Sequence, residues 1–272
     1  MASEHAREYT FAGAAPDRER ARLERLERAF DPTTRELLVR AGLGAGQRVL
    51  EVGAGAGSIA AFLADRVGGA GRVTAIDLDV SFLPPLPAHV DVVRGDVRAV
   101  PLGGDHAIAH ARYVLVHNVD PDAIVERLIA ALAPGGSLVL EEPDFTAVRT
   151  HATHAGSSGE GAAFARTGAA VVATFTGAGK DPALGLRLPA LCAARGLIVE
   201  HVVQHAPLCR GGDEVATMMA MSAAQLRERY LATGLVTDDD LAGYARFAAD
   251  PSAWAVYYAT IGIIARKPAA PS

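Results

Sequence analysis

A chain of 272 residues, 50% of them hydrophobic, with a net charge of −5 and no block of like charge, can bury one large core or two modest ones and offers no electrostatic footprint for nucleic acid or an acidic membrane. Only Lys180 and Lys267 are lysines, so the arginines belong to an Ala-, Gly- and Val-rich composition and not to a nucleic-acid surface. Cys192 and Cys209 make neither a disulfide framework nor a zinc spacing; with a charged N-terminus and no apolar run of about 18 residues, the expected location is the cytoplasm, with no membrane span.

From Pro16 to Phe30, Leu23, Leu26 and Phe30 recur at helical spacing among Arg and Glu, which predicts an amphipathic helix with a charged, solvated outer face. Asp31-Pro32-Thr33 reads as the N-cap and first turn of a second helix, running to about Ala41. A strand at 48–52 turns on Gly53, Gly55 and Gly57 into a helix at 58–67. A strand at 72–77 follows, and Pro84-Pro85-Leu86-Pro87 breaks the next helix early. Strands at 90–93 and 106–110 lead to a helix at 121–132, stopped by Pro134-Gly135-Gly136 before a strand at 137–140. Residues 145–180, with several glycines, His151 and His154, read as an insertion over the carboxyl edge of the sheet. A helix at 183–195 and a strand at 197–205 restore the pattern. A helical insertion at 212–248, carrying Met218, Met219 and Met221, precedes a last strand at 254–266. The methionines suit an adaptable apolar wall or plain core packing.

Alternating strands and helices predict a parallel sheet covered on both faces. Ligands of such sheets bind beyond the carboxyl ends of the strands, where the strand order reverses. Gly53 to Gly57, Asp77, Asp96, His110 and Glu142 all fall at such ends. Glycines let a ligand approach bare backbone N–H groups, and Asp77, ending the second strand, can accept from both hydroxyls of a ribose. These features point to a nucleoside-containing cofactor. A dinucleotide fingerprint needs its third glycine one position later, where Ser58 stands, and Glu51 before the turn disfavours a diphosphate and suits a cationic ligand.

Glu51-x-Gly53-x-Gly55-x-Gly57 resembles motif I of the class I S-adenosylmethionine (SAM) methyltransferases. Gly95-Asp96-Val97, the stretch His110 to His117, and Pro134-Gly135-Gly136 through Glu142 resemble later motifs of that family, together covering about 48–144. The resemblance implies an α/β fold, a Rossmann-like doubly wound sheet of seven strands with an antiparallel last strand. The expected organisation is a helical N-terminal cap at 1–45, a SAM-binding core at 46–144, a cap insertion at 145–180 and the rest of the core at 181–272. It also implies that Gly53, Gly55 and Gly57 pack against the methionine part of SAM and that Glu51 orients them or reaches the ammonium through water. Asp77 would hold the ribose, Leu78 would pack on the adenine, Asp96 and the Val97 N–H would read its edge, and the His110 backbone would close the other side. Tyr9 would cap the cofactor. The flanks resemble small-molecule methyltransferases of bacterial secondary metabolism, including antibiotic biosynthesis.

Methyl transfer from a sulfonium is an in-line displacement that depends on proximity, and a hydroxyl acceptor also benefits from a general base. His117, after the fourth strand, is the first candidate for that base, while a structural hydrogen bond or a substrate contact is its alternative role. Tyr9, Glu142, His151 and His154 are candidates to touch the acceptor, and capping the next segment is the alternative for Glu142. No metal set is expected: His106 and His110 are four apart but in a strand. The leading expectation is a SAM-dependent methyltransferase of a small, largely apolar acceptor, with S-adenosylhomocysteine as the cofactor product. The alternative is a SAM-binding relative that catalyses a cyclisation or rearrangement. The N-terminal helices are expected to close the site or to pair with a second subunit in a homodimer.

Overall fold

The structure, a computed structural model, describes residues 9–13, 15–150 and 158–269. One long helix, α1 (Pro16–Arg40), precedes the alternating core of β1 (Arg48–Val52), α2 (Ser58–Val67), β2 (Arg72–Asp77), β3 (Val90–Arg94), β4 (His106–Arg112), α3 (Pro121–Ala131) and β5 (Leu132–Asp144). Then come β6 (Arg149–Thr150), α4 (Ser158–Gly177), α5 (Leu184–Ala193), β7 (Ile198–His205) and β8 (Cys209–Arg210). The chain continues with α6 (Glu214–Gln225), α7 (Arg227–Ala232), α8 (Asp238–Ala249), β9 (Trp254–Val256) and β10 (Ala259–Arg266).

The main sheet has seven strands in the order β3-β2-β1-β4-β5-β10-β7. Strands β1 to β5 pair in parallel, and β10 runs antiparallel to both β5 and β7. The fold is thus the doubly wound, seven-strand sheet with a reversed strand that the sequence implied. Its order reverses between β1 and β4, which opens a crevice at their carboxyl ends. Side-chain alternation divides the core. Val49, Ile108, Val139 and Ile264 pack under α1 and α2 with Leu37, Leu38, Ile59 and Leu63. Leu50, Val52, Ala109, Leu138 and Ile263 belong to the core on the other face, with Ile124 and Leu128 of α3 and Leu184 and Leu188 of α5. Short strands β6, β9 and β8 form a separate sheet. No helix of the described residues is long and apolar enough to cross a membrane.

Three local expectations change. The two N-terminal helices are one, because α1 runs through Pro32. Proline forfeits a helical hydrogen bond, but tertiary contacts hold the helix across it. Asp31, expected as an N-cap, instead accepts from Arg35 (3.0 Å), Arg112 (3.0 Å) and Ser58 Oγ (3.1 Å). Phe30 just before the proline and Leu38 beyond it are fully buried. The Pro134-Gly135-Gly136 stretch lies inside β5, where the register with β4 shifts. A Cβ at Gly136 would stand 2.9 Å from the His106 carbonyl oxygen, so only glycine allows this close approach. The last expected strand breaks at Tyr257–Tyr258, and its first part joins the small sheet.

Asp31 is the ionic anchor of α1 on the sheet, since its partner Arg112 is also buried. Asp31→Ala removes the carboxylate hydrogen-bonded to that buried guanidinium and is expected to destabilise the protein by about 3 kcal/mol, read from the urea midpoint. A loss below about 0.5 kcal/mol, typical of a surface pair, would show that the pair does not anchor the helix.

Candidate active site

A cavity opens at the carboxyl ends of β1, β2 and β4, roofed by α1. Its floor is the glycine turn. Gly53 and Gly55 have φ of 76° and 55°, in the left-handed region that disfavours side chains. At Gly53 a Cβ would also stand 2.3 Å from Val114 Cγ2, so the turn after β4 can lie against it only because the side chain is missing. Asp77 at the end of β2 accepts from the Gly55 N–H (2.8 Å) and the Asp79 N–H (3.0 Å). Burial raises its pKa, and the amides oppose that rise. The two features read from sequence, the glycine turn and the acid of the second strand, are therefore bonded to each other.

Leu78, Phe82, Asp96, Val97 and Arg98 line one end of the cavity. Asp96 pairs with Arg98 at 2.8 Å. Arg20 of α1 donates to the carbonyls of Ser81 (3.2 Å) and Phe82 (3.1 Å), which straps the helix across this end. At the N-terminus of α2, where a dinucleotide enzyme holds its pyrophosphate, the Ser58 N–H donates to Glu27 Oε1 at 3.1 Å. A carboxylate in that place repels a diphosphate. Burial raises the pKa of Glu27.

Tyr9, Glu19, Arg22, Tyr113, Val114, His117 and Asn118 also line the cavity. Tyr9 donates to Glu19 (2.8 Å), and Arg22 pairs with Glu19 in a bidentate fork (2.9 and 2.7 Å). The His117 ring meets the Tyr9 ring edge-on at 4.9 Å. Its Nδ1 lies 2.8 Å from Thr10 Oγ1, to which Lys180 also donates at 3.4 Å. Burial, then the charges of Lys180 and Arg22, hold the His117 pKa well below the usual histidine range, so the ring is neutral. Behind His117 a second cavity opens, walled by Phe11, Phe145, Val171, Phe175, Met218 and Tyr258, among others. Arg22, Leu26, Tyr113 and His117 line both cavities. Tyr113 holds a positive φ of 55°, a strained conformation for an aromatic residue, and its hydroxyl bonds Thr260.

The structure thus brings Glu51, Gly53, Gly55, Asp77, Leu78, Asp96, Val97, Tyr9 and His117 to one cavity. It does not bring Gly57, His110 or Glu142 there. A Cβ at Gly57 would meet Pro84 at 2.7 Å, so its open face is filled by that loop. His110 is fully buried beneath the cavity, with Nδ1 2.6 Å from Glu51 Oε2 and Nε2 3.4 Å from Glu141 Oε2. Glu142 is equally buried and touches no acceptor space. Its Oε1 accepts from the N–H groups of Val114 (2.9 Å) and Leu115 (2.8 Å), and its Oε2 from Val116 (3.1 Å). Burial raises the Glu142 pKa to about 8, and the three amides pull against that rise. His151 and His154 lie outside the described residues. Glu19 and Arg22, read as a solvated face, are 4% and 5% exposed; their spacing of three on the Leu23–Leu26 side of the helix was the available signal. Glu27 and Tyr113 carried no signal of their own. Among the described residues no group of three or more His, Cys, Asp or Glu could hold a metal.

This crevice, with its glycine cradle, strand-end acid and blocked phosphate position, defines a nucleoside-cofactor site of the kind found in Rossmann-like transferases. Residues 18–173, more than half of the chain, match the family described as "Methyltransferase domain". The chain belongs to this family, the class I SAM-dependent methyltransferases, and SAM is its cofactor. It is 37% identical over 128 residues to a trans-aconitate 2-methyltransferase of Paracidovorax citrulli, covering 43% of this chain and 47% of that one. It is 31% identical over 147 residues to methyltransferase str2 of Strobilurus tenacellus, covering 53% of each. The chain therefore spans about half the length of these curated relatives. Among solved structures, the [4+2]-cyclase SpnF matches with a TM-score of 0.56 at 21% identity, over 89% of this chain and 82% of that one. An N-methyltransferase of Haemonchus contortus in complex with S-adenosylhomocysteine matches with a TM-score of 0.54 at 16% identity, over 90% and 57%. At these identities the likeness is one of fold.

Burial alone would lower the His110 pKa, but the Glu51 and Glu141 carboxylates outweigh it and raise the value to about 9, so its imidazolium contributes stability in full below about pH 6.5, the ordinary histidine value. That contribution is lost as pH rises through about 9. The thermal midpoint of the wild type is expected to fall between pH 7 and 9.5 more steeply than that of His110→Asn; parallel curves would contradict the charged assignment. Glu142→Gln places an NH₂ against a backbone N–H and is expected to cost about 1–3 kcal/mol in urea denaturation. No loss would show that the amides bond elsewhere.

Proposed function

We propose that this protein transfers the SAM methyl group to a small, largely apolar acceptor held in the second cavity. The observation that carries this reading is the shared wall: an aromatic chamber meets the cofactor cavity at His117 and Tyr113. In this reading Asp77 holds the ribose hydroxyls, and Asp96 and the Val97 N–H read the adenine edge, while Leu78 packs on its face. Glu51 faces the amino-acid end, and Tyr9 and Arg22 close it off from water. Bound SAM supplies an electrophilic methyl on a sulfonium, which leaves as the thioether of S-adenosylhomocysteine when the new bond forms.

The chain's own contribution is orientation and proton removal. Phe11, Phe145, Phe175 and Tyr258 position an apolar acceptor by shape. His117 is neutral, and in the tautomer that donates Nδ1–H to Thr10 its Nε2 is left as a proton acceptor. His117 Nε2 would take the proton that a hydroxyl acceptor releases on methylation. The flanking sequence further supports a natural-product acceptor of secondary metabolism. A second reading, cyclisation or rearrangement without methylation, draws on the likeness to SpnF, a protein described as a cyclase.

Product mass separates the two readings, since methylation adds one methyl unit and rearrangement adds nothing. Asp77→Ala is expected to weaken SAM binding by about tenfold, the cost of a lost buried acceptor, in calorimetric titration; unchanged affinity would remove Asp77 from the ribose. His117→Ala is expected to lower turnover by about 100-fold or more with SAM affinity retained, and full turnover would leave the histidine a structural role.

A further inference from the structure

The motif I acid and the histidine beneath it form a unit. Glu51 lies directly opposite His110 in the β1–β4 register, and Glu141 stands two residues beyond Val139, the partner of His110 on β5. Alternation puts all three side chains on the face covered by α1. Glu51 is 3% exposed and His110 and Glu141 are fully buried. Both ring nitrogens of His110 face carboxylate oxygens, and an ionised carboxylate only accepts hydrogen bonds. With a carboxylate oxygen facing each nitrogen, the doubly protonated ring is favoured, and the two carboxylates raise its pKa to about 9.

The consequence falls on Glu51. Its Oε2 is taken by His110 at 2.6 Å, while its Oε1 has no hydrogen-bond partner among the described residues and the residue lines the cofactor cavity. The His110 ring locks the Glu51 rotamer through one oxygen and leaves the other for a cation. We propose that His110 is a positioning residue for cofactor binding: from beneath the sheet's crevice it holds Glu51 oriented toward the cofactor's ammonium. The inference rests on the placement of the cofactor's amino-acid end over Glu51.

The test compares two ligands by calorimetry at pH 7: S-adenosylhomocysteine, which carries the ammonium, and 5′-methylthioadenosine, which lacks the amino-acid part. His110→Ala is expected to weaken S-adenosylhomocysteine about tenfold, in the range of a lost charge-assisted hydrogen bond, and to leave methylthioadenosine within about twofold. His110→Asn places a neutral donor near the Nδ1 position and is expected to limit the loss to about threefold, again for the homocysteine ligand alone. If the alanine variant does not fold, the asparagine variant carries the comparison. Equal losses for both ligands would reduce His110 to a structural part, and no loss for S-adenosylhomocysteine would overturn the proposal. Glu51→Gln tests the underlying placement separately. If it leaves S-adenosylhomocysteine binding unchanged, the amino-acid end lies elsewhere; if it weakens binding while the His110 variants do not, only the role of His110 fails.

Discussion

A carboxylate without access to water, that of Glu142, receives three consecutive backbone N–H groups, and the division of the molecule into two chambers depends on that arrangement. Three successive amides pointing one way form a nest, and here the accepting oxygens come from the Glu142 side chain on the neighbouring strand. The turn it holds carries Tyr113, Val114, Val116, His117 and Asn118. Val114 presses on the bare face of Gly53, Tyr113 accepts a strained backbone, and His117 stands between the cavities. The turn fits only because Gly53 has no side chain, so the glycine of motif I serves the acceptor side as well as the cofactor.

Helix α1 completes the enclosure by charge pairing. Asp31 bonds Arg112 and Ser58, Glu27 occupies the α2 N-terminus, and Arg20 bonds the carbonyls after β2. Arg25 and Arg28 reach Glu214 at the start of α6, joining the roof of one cavity to the wall of the other. The exposed pairs add little each. The buried ones matter because breaking them strands a charge in a low-dielectric interior. Below the crevice, Glu51, His110, Glu141 and Arg112 interleave signs along one face of the sheet, so a row of buried ionisable groups is held without a bare charge.

Local signals were legible in the sequence. β1, α2 and β2 start and end where hydrophobic patterning and glycines place them, and the reversed strand follows from the family resemblance. Misreadings arose where a residue's partner is distant in the chain. Pro32 looked like a helix start because a proline inside a helix is costly, and contacts from β4 and α2 hold the helix through it. Glu142 looked like an acceptor ligand because it ends a strand, but the amides of the adjacent crossover claim it. Glu19 and Arg22 looked solvated because a charged pair is seldom buried unless each member finds the other and a cavity to face.

The sequence by itself determined the cofactor class. Positive-φ glycines after a strand and an acid at the end of the next strand are short-range features whose chemistry survives any detail of packing. Only the tertiary structure decided which acids and histidines face the cavity and which lie beneath it. That choice is made by strand register, which sets Glu51 against His110 across 59 residues of chain. A shift of one residue would turn every one of these side chains to the opposite face.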